Sequence, residues 1–365
     1  MSSIFQKIKT RLAAEYKYLT AVNSSDRPWE MPVAASLSMG LPLLISVHFD
    51  HLNYGLASCL GGMIFLYLPS TPMYHRMTTL MTCSFGMITC YSLGILCQFN
   101  PQLMVLSLSI IAMVVSMACR FFMLPPPGSL FFIMAASIGM YTTVDVLQVP
   151  FVIGLMTLGC VLALAVAFVY SLYILRIRPA SPIPTIQKPS FDFVIFDSVI
   201  IGFTVGISLL LAITLELPRP YWVPISCLAV LQGVTVRAGW NSQLQRILGS
   251  CLGLIVSWFL LTLSLGQLSI CFVMMGLSFI IESLAVRHFG LAVVFLTPLT
   301  IFLAEANRFG LDDPFVVIRS RVTDTLLGSV IGVVCGICLH SEKFRTVVGH
   351  QMRKLIPVRF STLWY

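Results

Sequence analysis

Only 10% of this 365-residue chain is charged, so the ionisable side chains inside its apolar runs are the ones whose chemistry matters. Arg76 and Arg246 each stand where an apolar run begins. A guanidinium there can grip a carboxylate through two parallel hydrogen bonds. It can equally anchor a helix end by reaching back to lipid headgroups. Arg321 and Asp324 are three residues apart and share one face of a helix. Arg321 suits a carboxylate ligand and Asp324 suits proton exchange; the alternative is an ion pair that fixes the helix. Carboxylates at membrane depth are few, namely Asp197, Glu282, Glu305 and Asp324, and Glu282 joins Asp324 as a proton-coupling candidate. Tyr221 opens an aromatic-rich run beside these positions and completes the candidate substrate contacts.

Other chemistries find little support. No nucleophile–base set converges, which argues against an enzyme. No Gly-Lys pair occurs, so a Walker-type phosphate loop is absent and transport would draw on a proton or ion gradient. Cys335, Cys338 and His340 have a metal-like spacing but no second ligand pair, and the bland reading is helix packing. His48, Asp50 and His51 read as a solvated loop. The 11 cysteines lie mostly inside apolar runs and imply no disulfide framework. Neither a cofactor nor a metal is expected.

The elements that must carry these residues follow from composition. Hydrophobic residues make up 58% of the chain, too many for a soluble domain to cover with polar surface. Continuous apolar runs close to the roughly 20 residues that cross a bilayer fill most of the length. Backbone groups in lipid must bond internally, so these runs are helices. Spans are expected at about 30–48, 53–69, 77–97, 102–122, 128–144, 150–176, 193–215, 220–236, 245–264, 267–285, 289–306 and 315–339. The fold class is thus an all-α membrane protein with about 12 transmembrane helices.

With the N-terminus inside, every Lys and Arg among the 22 falls on the cytoplasmic side except Arg219, Arg308, Arg319 and Arg321. That asymmetry orients the chain, with both termini in the cytoplasm of an inner (plasma) membrane protein. It also accounts for the net charge of +8 without nucleic acid. Residues 1–29 form a basic arm, whose Ile4, Phe5, Ile8 and Leu12 suit an amphipathic helix on the membrane surface. Residues 177–192 hold a proline-rich linker, and 341–365 a basic tail.

The linker divides the chain into two six-helix stretches, 30–176 and 193–340, that resemble one another weakly. Tyr54 aligns with Tyr221, Arg76 with Arg246, Gly128 with Gly290, and Pro150 with Pro314. Repeats with an even number of spans are parallel, related by an axis along the membrane normal. The alignment sets Arg120 opposite Glu282 and suggests an ion pair between the halves. Gly249/Gly253 and Gly328/Gly332/Gly336 place small residues on one helix face, allowing close backbone approach. Asp313 and Pro314 suit the start of a last helix that runs to Leu339.

The stretch Tyr221–Gly253, with an aromatic-rich opening, a polar loop and then Arg-x-x-Gly-x-x-x-Gly, resembles the fusaric acid resistance protein-like family of aromatic acid exporters. RSRVTDTLLGSVIG at 319–332 is similar to that family's closing Arg-x-x-Asp-x-x-x-Gly-x-x-x-Gly helix. The resemblance implies export of small organic anions, with aromatic carboxylates as the first class to test. A passive anion channel is the second reading, and an accessory membrane subunit without its own pathway the third. Partners would be membrane lipids, the anion, and a periplasmic adaptor or further copies of the chain. Two features depart from the family: only a short basic tail is expected after His340 where family members often carry a sizeable soluble domain, and Thr79 and Cys83 stand where the second half has Gly249 and Gly253.

Overall fold

The computed structural model describes residues 27–125, 127–183, 191–231, 236–263, 265–304 and 314–341. Among these residues all regular structure is helical, in twelve α-helices joined by short turns and 3-10 segments. They are α1 (Glu30–His48), α2 (Leu52–Gly62), α3 (Met73–Cys97), α4 (Met104–Phe121), α5 (Leu130–Met140) and α6 (Val149–Ile177), followed by α7 (Phe191–Thr214), α8 (Trp222–Leu231), α9 (Val236–Thr262), α10 (Gln267–Ala285), α11 (Phe289–Ala304) and α12 (Pro314–His340). The surface arm at 1–26, most of the linker, the cap residue Asp313 and the C-terminal tail lie outside the described residues.

The twelve helices fall near the twelve expected stretches but differ in length. Among the described residues eight helices are long and apolar enough to cross a membrane, while α2, α5, α8 and α11 are shorter. An 11-residue helix rises only about 16 Å, against a hydrocarbon core of about 30 Å. Local chemistry sets these lengths. After α2 the backbone tightens into a 3-10 segment, Met63–Tyr67, and turns extended at Leu68, ahead of Pro69. The start of α5 is limited by a turn at Pro127–Gly128, where Gly128 takes φ 55°.

Several helices present a stripe of bulky apolar side chains outward, unlike the polar outer face of a soluble helix. On α9, Leu248, Leu252, Ile255 and Phe259 are exposed at helical spacing, whereas Leu254 and Ser257 are buried. On α12 the outward stripe is Leu326, Val330, Val334 and Ile337. Such a surface is stable only against lipid or another apolar partner.

Three helices end by the same device. After α1, α4 and α7 a non-glycine residue adopts a left-handed conformation: Asp50 at φ 58°, Met123 at 49° and Glu216 at 52°. In each case the next amide donates back across the last turn: His51 to the Ser46 carbonyl, Leu124 to Cys119 and Leu217 to Ala212. These bonds satisfy carbonyls that a helix end would otherwise leave bare in an apolar setting.

The chain forms two compact units, each assembled from separate stretches of sequence. The first draws on Met1–Thr89, Val144–Ile183 and Gly233–Val322. Within it α1 packs on α2, α6 and α10, α2 packs on α6, and α11 packs on α9 and α10. The second draws on Cys90–Thr143, Pro184–Gln232 and Thr323–Tyr365. Within it α4 packs on α5 and α7, α7 on α8, and α5 on α8.

Candidate functional site

In the first unit, charged groups gather where the starts of α1 and α3 meet the ends of α6 and α10. Arg27, just before α1, donates from Nη1 to Glu282 Oε2 at 2.8 Å, and only the arginine retains solvent contact. Glu282, the proton-coupling candidate, is therefore a buried carboxylate neutralised by its own cation. Arg76, in the first turn of α3, is 5% exposed. Its Nε donates to the Thr71 carbonyl at 2.6 Å and its Nη1 to Ser171 Oγ at 3.4 Å. The Tyr170 hydroxyl lies within electrostatic reach of Arg76, Glu30, Arg27 and Arg178.

The second unit holds a matching pair. Arg120, in the last turn of α4, donates from Nη1 to Asp197 Oδ2 at 2.6 Å, near the start of α7. Asp197 is buried and Arg120 half-exposed. The expected pairing of Arg120 with Glu282 is thus incorrect: each has its own partner, Asp197 for one and Arg27 for the other. The reason is geometric, since the end of α4 packs on α7 and the end of α10 packs on α1.

The remaining candidates lie on α9, on α12 and at the entry to α8. Arg321 is buried on α12 and donates from Nη2 to Thr300 Oγ1 at 2.8 Å on α11. Asp324 is fully buried on α12, and so is not a solvated surface carboxylate. Tyr221 is buried at the entry to α8, its ring 5.3 Å from Trp222 and 5.5 Å from Tyr141. Arg246 sits one turn before Gly249 on α9 and is partly buried.

Four candidate glycines lie at helix crossings. A Cβ on Gly249 would lie 2.6 Å from the Gly290 carbonyl oxygen, and one on Gly253 2.6 Å from that of Val294. On α12, a Cβ at Gly328 would lie 2.5 Å from the Val223 carbonyl oxygen and one at Gly332 2.8 Å from that of Cys227. Only glycine fits such contacts without moving a neighbour.

Glu30, Tyr170 and Ser171 escaped the sequence reading. Glu30 borders the first apolar run and looks like an interface residue, while Tyr170 and Ser171 are ordinary members of a long apolar run. Only the meeting of α1, α3 and α6 gives them a role. Among the described residues, no group of three His, Cys, Asp or Glu side chains could hold a metal.

Long apolar helices with outward-facing lipid stripes define a multi-pass α-helical membrane protein. Residues 201–335 match the family described as fusaric acid resistance protein-like. The chain is also similar to an uncharacterized membrane protein, YvaC, of Bacillus subtilis (strain 168), with 34% identity over 135 residues. That alignment covers 37% of this chain and 21% of the relative, so the chain spans about a fifth of the relative's length. No solved structure matches the chain.

Proposed function

We propose that the protein is a secondary transporter that exports small organic anions, aromatic carboxylates first among them, from the cytoplasm of a cell with both its termini inside. The observation that carries this reading is the burial of Arg76 and Arg321 among apolar helices, each 6% exposed or less. Charges at membrane depth are expensive and persist where they handle an ion or substrate. The buried carboxylates Asp197, Glu282 and Asp324 supply groups through which a proton gradient could couple. The family matched by residues 201–335 supports transport over catalysis.

A twofold architecture of six-helix repeats belongs to the same proposal and has packing support. Moving six helices along the chain turns the first unit's pairs α1·α2, α1·α10, α10·α11 and α2·α11 into the second unit's α7·α8, α4·α7, α4·α5 and α5·α8. The left-handed endings of α1 and α7 are equivalent under the same shift. Each unit would then combine helices from both repeats, as the substrate path of a repeat transporter requires.

Screening a deletion strain against hydroxybenzoates, picolinates and common biocides tests export. Raised sensitivity to at least one aromatic acid, reversed by the intact gene, is expected. Unchanged sensitivity across the panel would contradict it.

A further inference from the structure

A buried guanidinium whose counter-charge is missing points to a ligand. Arg76 is 5% exposed, yet among the described residues no carboxylate lies within ion-pair distance of it. A carbonyl and a hydroxyl occupy Nε and Nη1, and Nη2 has no acceptor among the described residues. Nη2 is not among the sealed-off polar atoms, so an incoming anion can reach it and supply the missing counter-charge.

The surroundings fit a single oxyanion. Thr71 and Ser171 hold two edges of the guanidinium, which fixes its plane and leaves the third nitrogen to donate. Tyr170 precedes Ser171 on α6 and interacts electrostatically with Arg76. Arg27 is committed to Glu282, while Arg178, exposed beyond the end of α6, adds positive potential at the entrance. One group opposes the anion: Glu30, whose buried Oε2 has no donor among the described residues.

We propose that Arg76, Ser171 and Tyr170 form a site for one oxyanion group, a carboxylate or a phosphate, at the helix ends of the first unit. The carboxylate source is a small organic acid; the phosphate source is free phosphate or a lipid headgroup. The proposal rests on the transport reading only for the view that the bound anion is cargo. The charge balance of the site stands without it.

The full-length protein is placed in nanodiscs of phosphatidylcholine, and its melting temperature is followed against benzoate, inorganic phosphate and added phosphatidylglycerol. Saturable stabilisation by one of the three is expected, and that one identifies the source. Arg76→Gln should abolish it and Arg76→Lys weaken it at least tenfold. Ser171→Ala should weaken it severalfold with the charge intact, and Glu30→Gln should tighten it. Should Arg76→Gln fail to fold, Arg76→Lys, Ser171→Ala and Glu30→Gln carry the test. Equal stabilisation of wild type and folded Arg76 variants, or none by any anion, overturns the site. Arg76-dependent binding without benzoate efflux from proteoliposomes would sink the exporter and leave the site standing. Efflux with no Arg76-dependent binding would do the converse.

Discussion

Arg120 donates to Asp197 across 2.6 Å and thereby ties the end of α4 to the start of α7. Arg27 and Glu282 make the same tie between the approach to α1 and the end of α10, with the charges exchanged. In both pairs the carboxylate is buried and the arginine reaches solvent, so removing the arginine strands a buried charge. Arg120→Glu should lower stability by about 1–3 kcal/mol, and Asp197→Arg added to it should restore part of the loss. Thermal melts of the two single variants and the swap in one detergent measure this, and a double variant no better than the worse single contradicts the tie.

The glycine crossings give a second test. Gly328→Leu and Gly249→Leu force a side chain into a facing backbone carbonyl and should cost upwards of about 1–3 kcal/mol each, reducing the folded yield. Gly276 on α10 is the control, because a Cβ placed there would meet nothing within 4 Å. Gly276→Ala should be tolerated, with size-exclusion profiles separating the two outcomes.

Asp324 gives a third. It is fully buried one turn beyond Arg321 on α12. If it exchanges a proton during transport, Asp324→Asn should express normally, bind anion and lose the pH dependence of efflux. Poor expression or a lowered melting temperature would assign it to the helix framework instead.

Orientation is the fourth. Reporter fusions at residue 185 and after residue 345 should both report the cytoplasm, the outcome expected from the Lys and Arg asymmetry. A periplasmic signal from either contradicts that topology.

Helix placement was legible where runs were long and uninterrupted. The expected boundaries 30–48 and 267–285 coincide with Glu30–His48 and Gln267–Ala285, since hydropathy alone delimits such helices. The short helices were harder. Apolar residues continue past the end of α2, through Met63–Tyr67, and hydropathy cannot register a change from α to 3-10 winding. Pairing was the least legible. The expected repeat alignment set Arg120 opposite Glu282, but their partners lie 77 and 255 residues away in sequence. The same limit hid Ser171, whose hydroxyl matters only because α6 delivers it to Arg76.

Movement of organic anions across a membrane is tested most directly with purified full-length protein in liposomes loaded with labelled benzoate, under an imposed proton gradient. Benzoate release well above that of empty liposomes is expected, dependent on the gradient and reduced by Arg76→Lys. Release that follows the membrane potential but ignores the proton gradient would mark a channel, and release no faster than from empty liposomes would contradict anion transport altogether.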